Sequence, residues 1–145
     1  MYRGRRPLFA LVLSLLTFPA SAHQWGPTAA DRMAIRRVIE RQLEAFRNGD
    51  AVAAFVYASP EIHANYRSPD NFTRAVETFY QPVYRPHREG GFTSLYMIDG
   101  MPAQPVLLVG PHGDFVLAPY AMQKQPDGEW KIAGCSLLPE LEKQG

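Results

Sequence analysis

One cysteine in 145 residues leaves no partner for an internal disulfide, so stability has to come from packing even in an oxidising compartment. Histidine is nearly as scarce. None of the four lies at the i, i+4 spacing of a metal site, and no metal or other cofactor is expected. Excess charge of either sign is missing too, with 15 basic residues against 14 acidic ones. Nucleic acids and anionic membranes are held by clustered positive charge, so neither is an expected partner. No apolar run reaches the roughly 20 residues that a membrane-spanning helix needs.

The first residues carry a processing signal. Arg3, Arg5 and Arg6 precede the apolar stretch Pro7 to Phe18, which is 12 residues long. Pro19 and the small triplet Ala20-Ser21-Ala22 follow. A basic start, a short apolar run and an A-x-A site make a secretory signal peptide, cleaved after Ala22. An uncleaved anchor is the alternative reading. Arg5-Arg6 matches a twin-arginine signal only in that pair, and no cysteine near the cut offers a lipid anchor. Cleavage leaves 123 residues carrying 12 basic and 14 acidic side chains, a balance of −2. The expected location is the periplasm or the medium, with no membrane contact after cleavage. A chain of this length forms one domain, residues 23–145, with a sizeable core.

Residues 28 to 84 read as helical. Thr28 with Asp31 three residues on suits a capping box. Ile35, Val38, Ile39, Leu43 and Phe46 make one apolar stripe, and Asn48-Gly49 ends the helix. Glu40 and Glu44 are spaced to pair with Arg36, Arg37, Arg41 and Arg47. Asp50 caps "AVAAFVYA" (51–58). Ser59-Pro60-Glu61 and Ser68-Pro69-Asp70 each place a cap, a first-turn proline and an acid in order. Phe72, Val76, Phe79 and Val83 step by four, three and four.

After the polar linker "RPHREGG" (85–91) come four strands, about 92–98, 104–110, 115–124 and 129–138. Asp99-Gly100, "GPHGD" (110–114) and Pro126-Asp127-Gly128 are short antiparallel connections, so the sheet is expected to be a meander. Pro119 marks a bulge or an edge position. Phe92, Tyr96 and Ile98 are expected on one face and Leu95 and Met97 on the other. Both sheet faces read as apolar. Helices cover one, and a second subunit is the expected cover for the other, giving a homodimer through the outer face.

Helices followed by a bent antiparallel meander resemble the nuclear transport factor 2-like, cone-shaped α+β fold over nearly the whole mature chain. The stretches "IRRVIERQLEAFRNGDAVAAFVYASPEI" (35–62), "SPDNFTRAVETFYQPVYRP" (68–86) and "QPDGEWKIAGCSL" (125–137) resemble a bacterial family called domain of unknown function 4864. That resemblance implies a fold and a pocket between the concave sheet face and the helices. It implies no activity, because cone folds host isomerases, hydrolases, dehydratases, binding modules and dimerisation domains.

Little is left over for catalysis. Asp99, Asp114 and Asp127 sit in turns beside glycine, and Asp31, Asp50, Glu61 and Asp70 at helix starts. Glu40, Glu44 and Glu77 lie on solvent faces, Glu129 opens the last strand, and Glu140 and Glu142 are in the tail. Only Glu89, in the linker, has no ready structural role. His112 is in a turn and His87 in the linker, which leaves His63 as the one candidate imidazole. His23 would become the first residue after cleavage, where an amine and ring can chelate copper if a second imidazole approaches. Cys135 sits in a strand that sets Trp130, Ile132 and Gly134 against Ala133, Cys135 and Leu137. It reads as a small buried hydrophobe, since a reactive thiol needs a base or a helix N-terminus nearby.

Aromatics remain. Tyr66, Tyr80, Tyr84, Tyr96 and Tyr120, with Phe79 and Trp130, come from elements expected to face one another. Core packing is the plain reading; an aromatic pocket with hydroxyl tips is the functional one. Arg85, with His87 and Arg88, could recruit an anionic group at the mouth, or simply form a solvated linker. Three functions compete. The first is an exported, non-catalytic binding domain for a small apolar or amphipathic molecule, or for a protein. Its candidate ligand-binding residues are Tyr66, Tyr80, Tyr84, Tyr96, Tyr120, His63 and Arg85. The second is an isomerase- or hydrolase-type enzyme using His63 or a tyrosine hydroxyl. The third is an assembly role through the outer sheet face.

Overall fold

The computed structural model describes residues 26–139, except for the side chain of Pro139. The signal segment, His23, Glu140 and Glu142 lie outside the described residues. The chain is α+β, with five helices preceding an antiparallel sheet. The helices are α1 (Ala29–Arg47), α2 (Ala51–Val56), α3 (Pro60–Tyr66), α4 (Pro69–Phe79) and α5 (Gln81–Tyr84). The strands are β1 (Arg88–Phe92), β2 (Tyr96–Ile98), β3 (Met101–Val109), β4 (Phe115–Lys124), β5 (Trp130–Cys135) and β6 (Leu138–Pro139).

Local chemistry sets the helix starts. Thr28 and Asp31 close a reciprocal capping box on α1. Asp50, Ser59 and Ser68 each accept a backbone N–H from the first turn they precede, and α3 and α4 both carry proline there. The expected stripe of α1 is buried at Ile35, Ile39, Leu43 and Phe46. The charged faces behave differently. Among the described residues no i, i+4 ion pair forms along α1; Arg47 instead reaches across to Glu89 on β1.

Four of the helices are 4 to 11 residues long, too short to persist alone in water. Phe72 of α4 holds three of their neighbours. Its ring centroid lies 6.0 Å from Phe46 on α1, 5.5 Å from Phe55 on α2 and 5.6 Å from Tyr66 on α3. Phe46 in turn meets Tyr84 of α5 at 5.8 Å. Offset and edge contacts of this kind add to the burial of large apolar rings.

The sheet follows the expected meander path β1-β3-β4-β5, but its outer strands are broken. The stretch read as one strand over 92–98 divides into β1 and β2, which pair with successive halves of β3. The last strand divides likewise into β5 and β6 along β4. Proline explains both breaks. Pro105 and Pro119 face each other across β3 and β4. The Pro105 carbonyl accepts from Thr93 on one side and the Pro119 carbonyl from Ser136 on the other, so each missing N–H faces outward at the level of a break. Pro119 therefore lies inside a central strand, opposite a gap, and not at an edge or bulge. Gln104 bridges the first gap, donating from Nε2 to the Thr93 carbonyl at 2.8 Å.

The polar linker is shorter than its composition suggests. Residues 88–91 join β1, and the His87 N–H donates to the Val109 carbonyl. Gly90 is the bulged residue, where an added Cβ would lie 2.9 Å from Leu107 Cδ2. The break also changes the faces. Phe92 pairs with Val106 on the helix side, whereas Tyr96 and Ile98 pair with Ala103 and Met101 on the outer side. On the free side of β5, Ala58 makes a parallel bridge to Ile132, and Lys131 Nζ donates to the Val56 carbonyl. An edge that would invite pairing is thereby covered.

Helix α1 is tied to the sheet by its own cap. Asp31 Oδ1 accepts from Trp130 Nε1 at 3.1 Å and from Lys124 Nζ at 3.2 Å. The Thr28 backbone N–H holds this carboxyl well below the usual carboxylate range, with the Trp130, Thr28 hydroxyl and Lys124 bonds adding to it against the cost of desolvation. A lowered folded-state pKa stabilises above the unfolded value of about 4 and is lost as pH falls below it. Asp31→Asn is expected to cost about 1 kcal/mol at pH 7, read as a lower Tm. The gap from the parent protein should close on acidification below about pH 4. A gap that stays constant down to pH 2 would show that the carboxylate charge contributes nothing.

Candidate functional site

A cavity of about 260 Å³ lies between the helices and the inner face of β4 and β5. Helix α1 supplies Gln42 and Phe46, α3 supplies Ile62, Asn65 and Tyr66, and α4 supplies Phe72 and Val76. Tyr80 and Val83 close one wall, and Tyr120 with residues 132–135 forms the floor. No Asp, Glu, Lys, Arg or His is among these residues. The volume falls just below the roughly 300–1,000 Å³ of small-molecule sites.

The floor depends on a bulge that the alternating pattern hides. Ala121 pairs with Gly134 and Met122 with Ile132, so Ala133 has no partner. One extra residue reverses the faces beyond it. Cys135 therefore pairs with Tyr120 and lies on the same side as Trp130 and Ile132, not opposite them as strict alternation predicts. Gly134 was the available signal, since an isolated glycine in a strand often marks such a bulge.

Two side chains on this floor are held neutral. Tyr120 is 1% exposed and its hydroxyl has no hydrogen-bond partner. Desolvation raises its pKa far above the usual phenol range, and the neighbouring Cys135 and then Glu89 push it the same way. Cys135 is partly buried as a residue and its thiol is enclosed, and that burial pushes it up to about 12. Its Sγ has only a long contact of 3.5 Å to the Ser136 carbonyl. At neutral pH neither group is a base or a nucleophile. Gln42, itself buried, donates from Nε2 to the Ala54 carbonyl at 3.1 Å, which leaves its amide oxygen to accept.

Of the seven candidate residues, Tyr66, Tyr80 and Tyr120 line the cavity. The other four do not. Tyr84 packs on Phe46, and Tyr96 is 39% exposed on the outer face. Arg85 lies over the Tyr84 ring at 5.3 Å, while His87 and Arg88 border a separate depression beside Phe115. His63 stacks on Phe55 with centroids 4.0 Å apart, and its Nε2 donates to the Phe55 carbonyl. A carbonyl only accepts, so this contact requires a proton on Nε2. Glu89, the one acid without a ready role, is the partner of Arg47. Gln42 and Asn65 are cavity residues that the sequence did not single out, and Cys135, read there as a small buried hydrophobe, was not expected in the cavity. Gln42 gave no signal, because a polar residue on a helix reads as solvent-facing.

Among the described residues no group of His, Cys, Asp and Glu is placed to hold a metal ion, and no helix is long and apolar enough to cross a membrane. A family model described as "Domain of unknown function (DUF4864)" matches residues 28–145. No curated protein and no solved structure matches the chain.

The state of Cys135 is directly measurable. Its alkylation by iodoacetamide at pH 8 is expected to be roughly a thousandfold slower than that of a free thiol of pKa near 8.5. The rate should keep climbing with pH beyond 10. A plateau near pH 9 would show an ordinary, accessible thiol.

Proposed function

The chain belongs to the DUF4864 family, whose description leaves its activity open, and from that premise we propose that it is a non-catalytic binding domain for a small apolar or amphipathic molecule. The observation that carries this reading is the cavity itself, apolar over most of its wall and free of charged side chains. Burial of an apolar ligand needs that surface and little else. The reading includes a cone-shaped arrangement of the nuclear transport factor 2 type, supported by the order of helices and sheet. It also includes export with cleavage after Ala22, supported by the composition of residues 1–22.

An isomerase or hydrolase is the competing reading, and the meeting of Tyr120 and Cys135 in one hollow is what favours it. Against it, both groups are raised and stay protonated, and His63 does not line the cavity. General acid–base work near neutral pH needs a group that titrates there.

The same reading places a second copy over the outer sheet face. Tyr96, Ile98, Phe115 and Leu138 share that face with Leu107 and Leu117, and are 39 to 50% exposed. Sedimentation is expected to show a dimer that Leu117→Glu converts to a monomer. A parent protein that stays monomeric at high concentration ends this part of the proposal.

The binding reading is tested with N-phenyl-1-naphthylamine, an uncharged apolar fluorophore, on protein recovered from a bacterial periplasm. That protein should begin at His23; a chain recovered uncut in the cytoplasm would end the export reading. Saturable 1:1 enhancement is expected. Cys135→Leu extends a side chain toward the cavity and is expected to weaken it at least fivefold, on the scale of one or two displaced methylenes. Unsaturable enhancement, or equal affinity in the folded variant, contradicts the reading.

A further inference from the structure

The cavity's polar groups restrict what it could hold. Every hydrogen-bonding side chain around it is uncharged. A carboxylate ligand would leave water with no cation to meet it, and an ammonium with no carboxylate, and either transfer is costly.

What the floor does offer is one strong, unused donor. Tyr120 is enclosed, lines the cavity, and bonds to nothing. Its neighbour across the strand, Gln104, is fully buried, spends its Nε2 on the Thr93 and Pro105 carbonyls, and has an Oε1 that likewise bonds to nothing. An unsatisfied buried hydroxyl lowers stability, and a core selected for stability alone would carry phenylalanine here. The Cys135 thiol beside it is only a weak donor and acceptor. The remaining wall is aromatic or aliphatic, apart from Gln42, the exposed Asn65 and the hydroxyls of the partly exposed Tyr66 and Tyr80.

Building on the binding reading above, we infer that the cavity selects uncharged, largely apolar molecules carrying one carbonyl or hydroxyl oxygen, and that the Tyr120 hydroxyl donates to that oxygen. Tyr120 is then the specificity-determining residue of the site. The apolar wall supplies affinity without discrimination, and the phenol separates an oxygenated molecule from a hydrocarbon of the same shape.

Four probes share one ring and differ in polarity: acetophenone, ethylbenzene, benzoate and benzylamine. Binding is followed by the amide NMR shifts of Val76, Gly134 and Cys135. Acetophenone is expected to bind most tightly, and benzoate and benzylamine at least tenfold more weakly. Tyr120→Phe, which keeps the ring, is expected to weaken acetophenone about tenfold and leave ethylbenzene unchanged. The variant should also melt no lower than the parent, because the hydroxyl it lacks had no partner. Benzoate or benzylamine binding as well as acetophenone, or Tyr120→Phe leaving acetophenone unaffected, overturns this selectivity while binding itself stands. If none of the four shifts those amides, the binding reading falls and the inference with it.

Discussion

The arrangement of the short helices depends on one ring. Phe72 touches Phe46, Phe55 and Tyr66, and so joins α1, α2, α3 and α4 at one point. None of the three shorter partners has enough hydrogen bonds to stand alone, since nucleation is costly and each is cut off by a cap or a proline. Their positions are consequences of packing. Two members of that cluster, Phe46 and Tyr66, are also walls of the cavity, as is Phe72 itself. The hollow exists because the helices are held at their aromatic contacts and do not collapse further onto β4 and β5.

The sheet supplies the other half of the site through two backbone irregularities. The facing prolines at 105 and 119 withhold donors from both flanking strands at one level, and each strand breaks there. Close to that break the unpaired Ala133 turns Cys135 inward beside Tyr120. Regular alternation would have put the thiol on the outer face and Gly134 inward beside Tyr120. The cost falls on Tyr120, whose hydroxyl loses water and gains no partner. Stability lost at a concave, otherwise well-packed position is a common mark of a binding site.

How far the sequence reveals this depends on the kind of signal. Helix starts were legible because a cap is a local chemical device, and Thr28, Asp50, Ser59 and Ser68 all serve as read. The α1 stripe and the order of the meander were legible for the same reason, through periodicity and the Asp99-Gly100 and Asp127-Gly128 turns. The strand breaks and both bulges were not, because they follow from which residues face each other across β3 and β4. Pro119 alone suggests an edge; Pro119 opposite Pro105 explains a gap. In the site, tyrosine identified Tyr66, Tyr80 and Tyr120 by type. It could not separate them from Tyr84 and Tyr96, which differ only in what they face. Gln42 and Cys135 enter through tertiary placement and the bulge, which composition does not encode.

The central claim is that the space between Tyr120 and the helices is open and apolar, able to receive a ligand. Crystals of the protein equilibrated with xenon address it directly, since xenon enters dry apolar cavities and reports its place by anomalous scattering. The account predicts a xenon site bounded by Phe72, Val76, Tyr120 and Cys135. A crystal in which Tyr66 or Tyr80 has folded into that space, with no xenon bound, would contradict it.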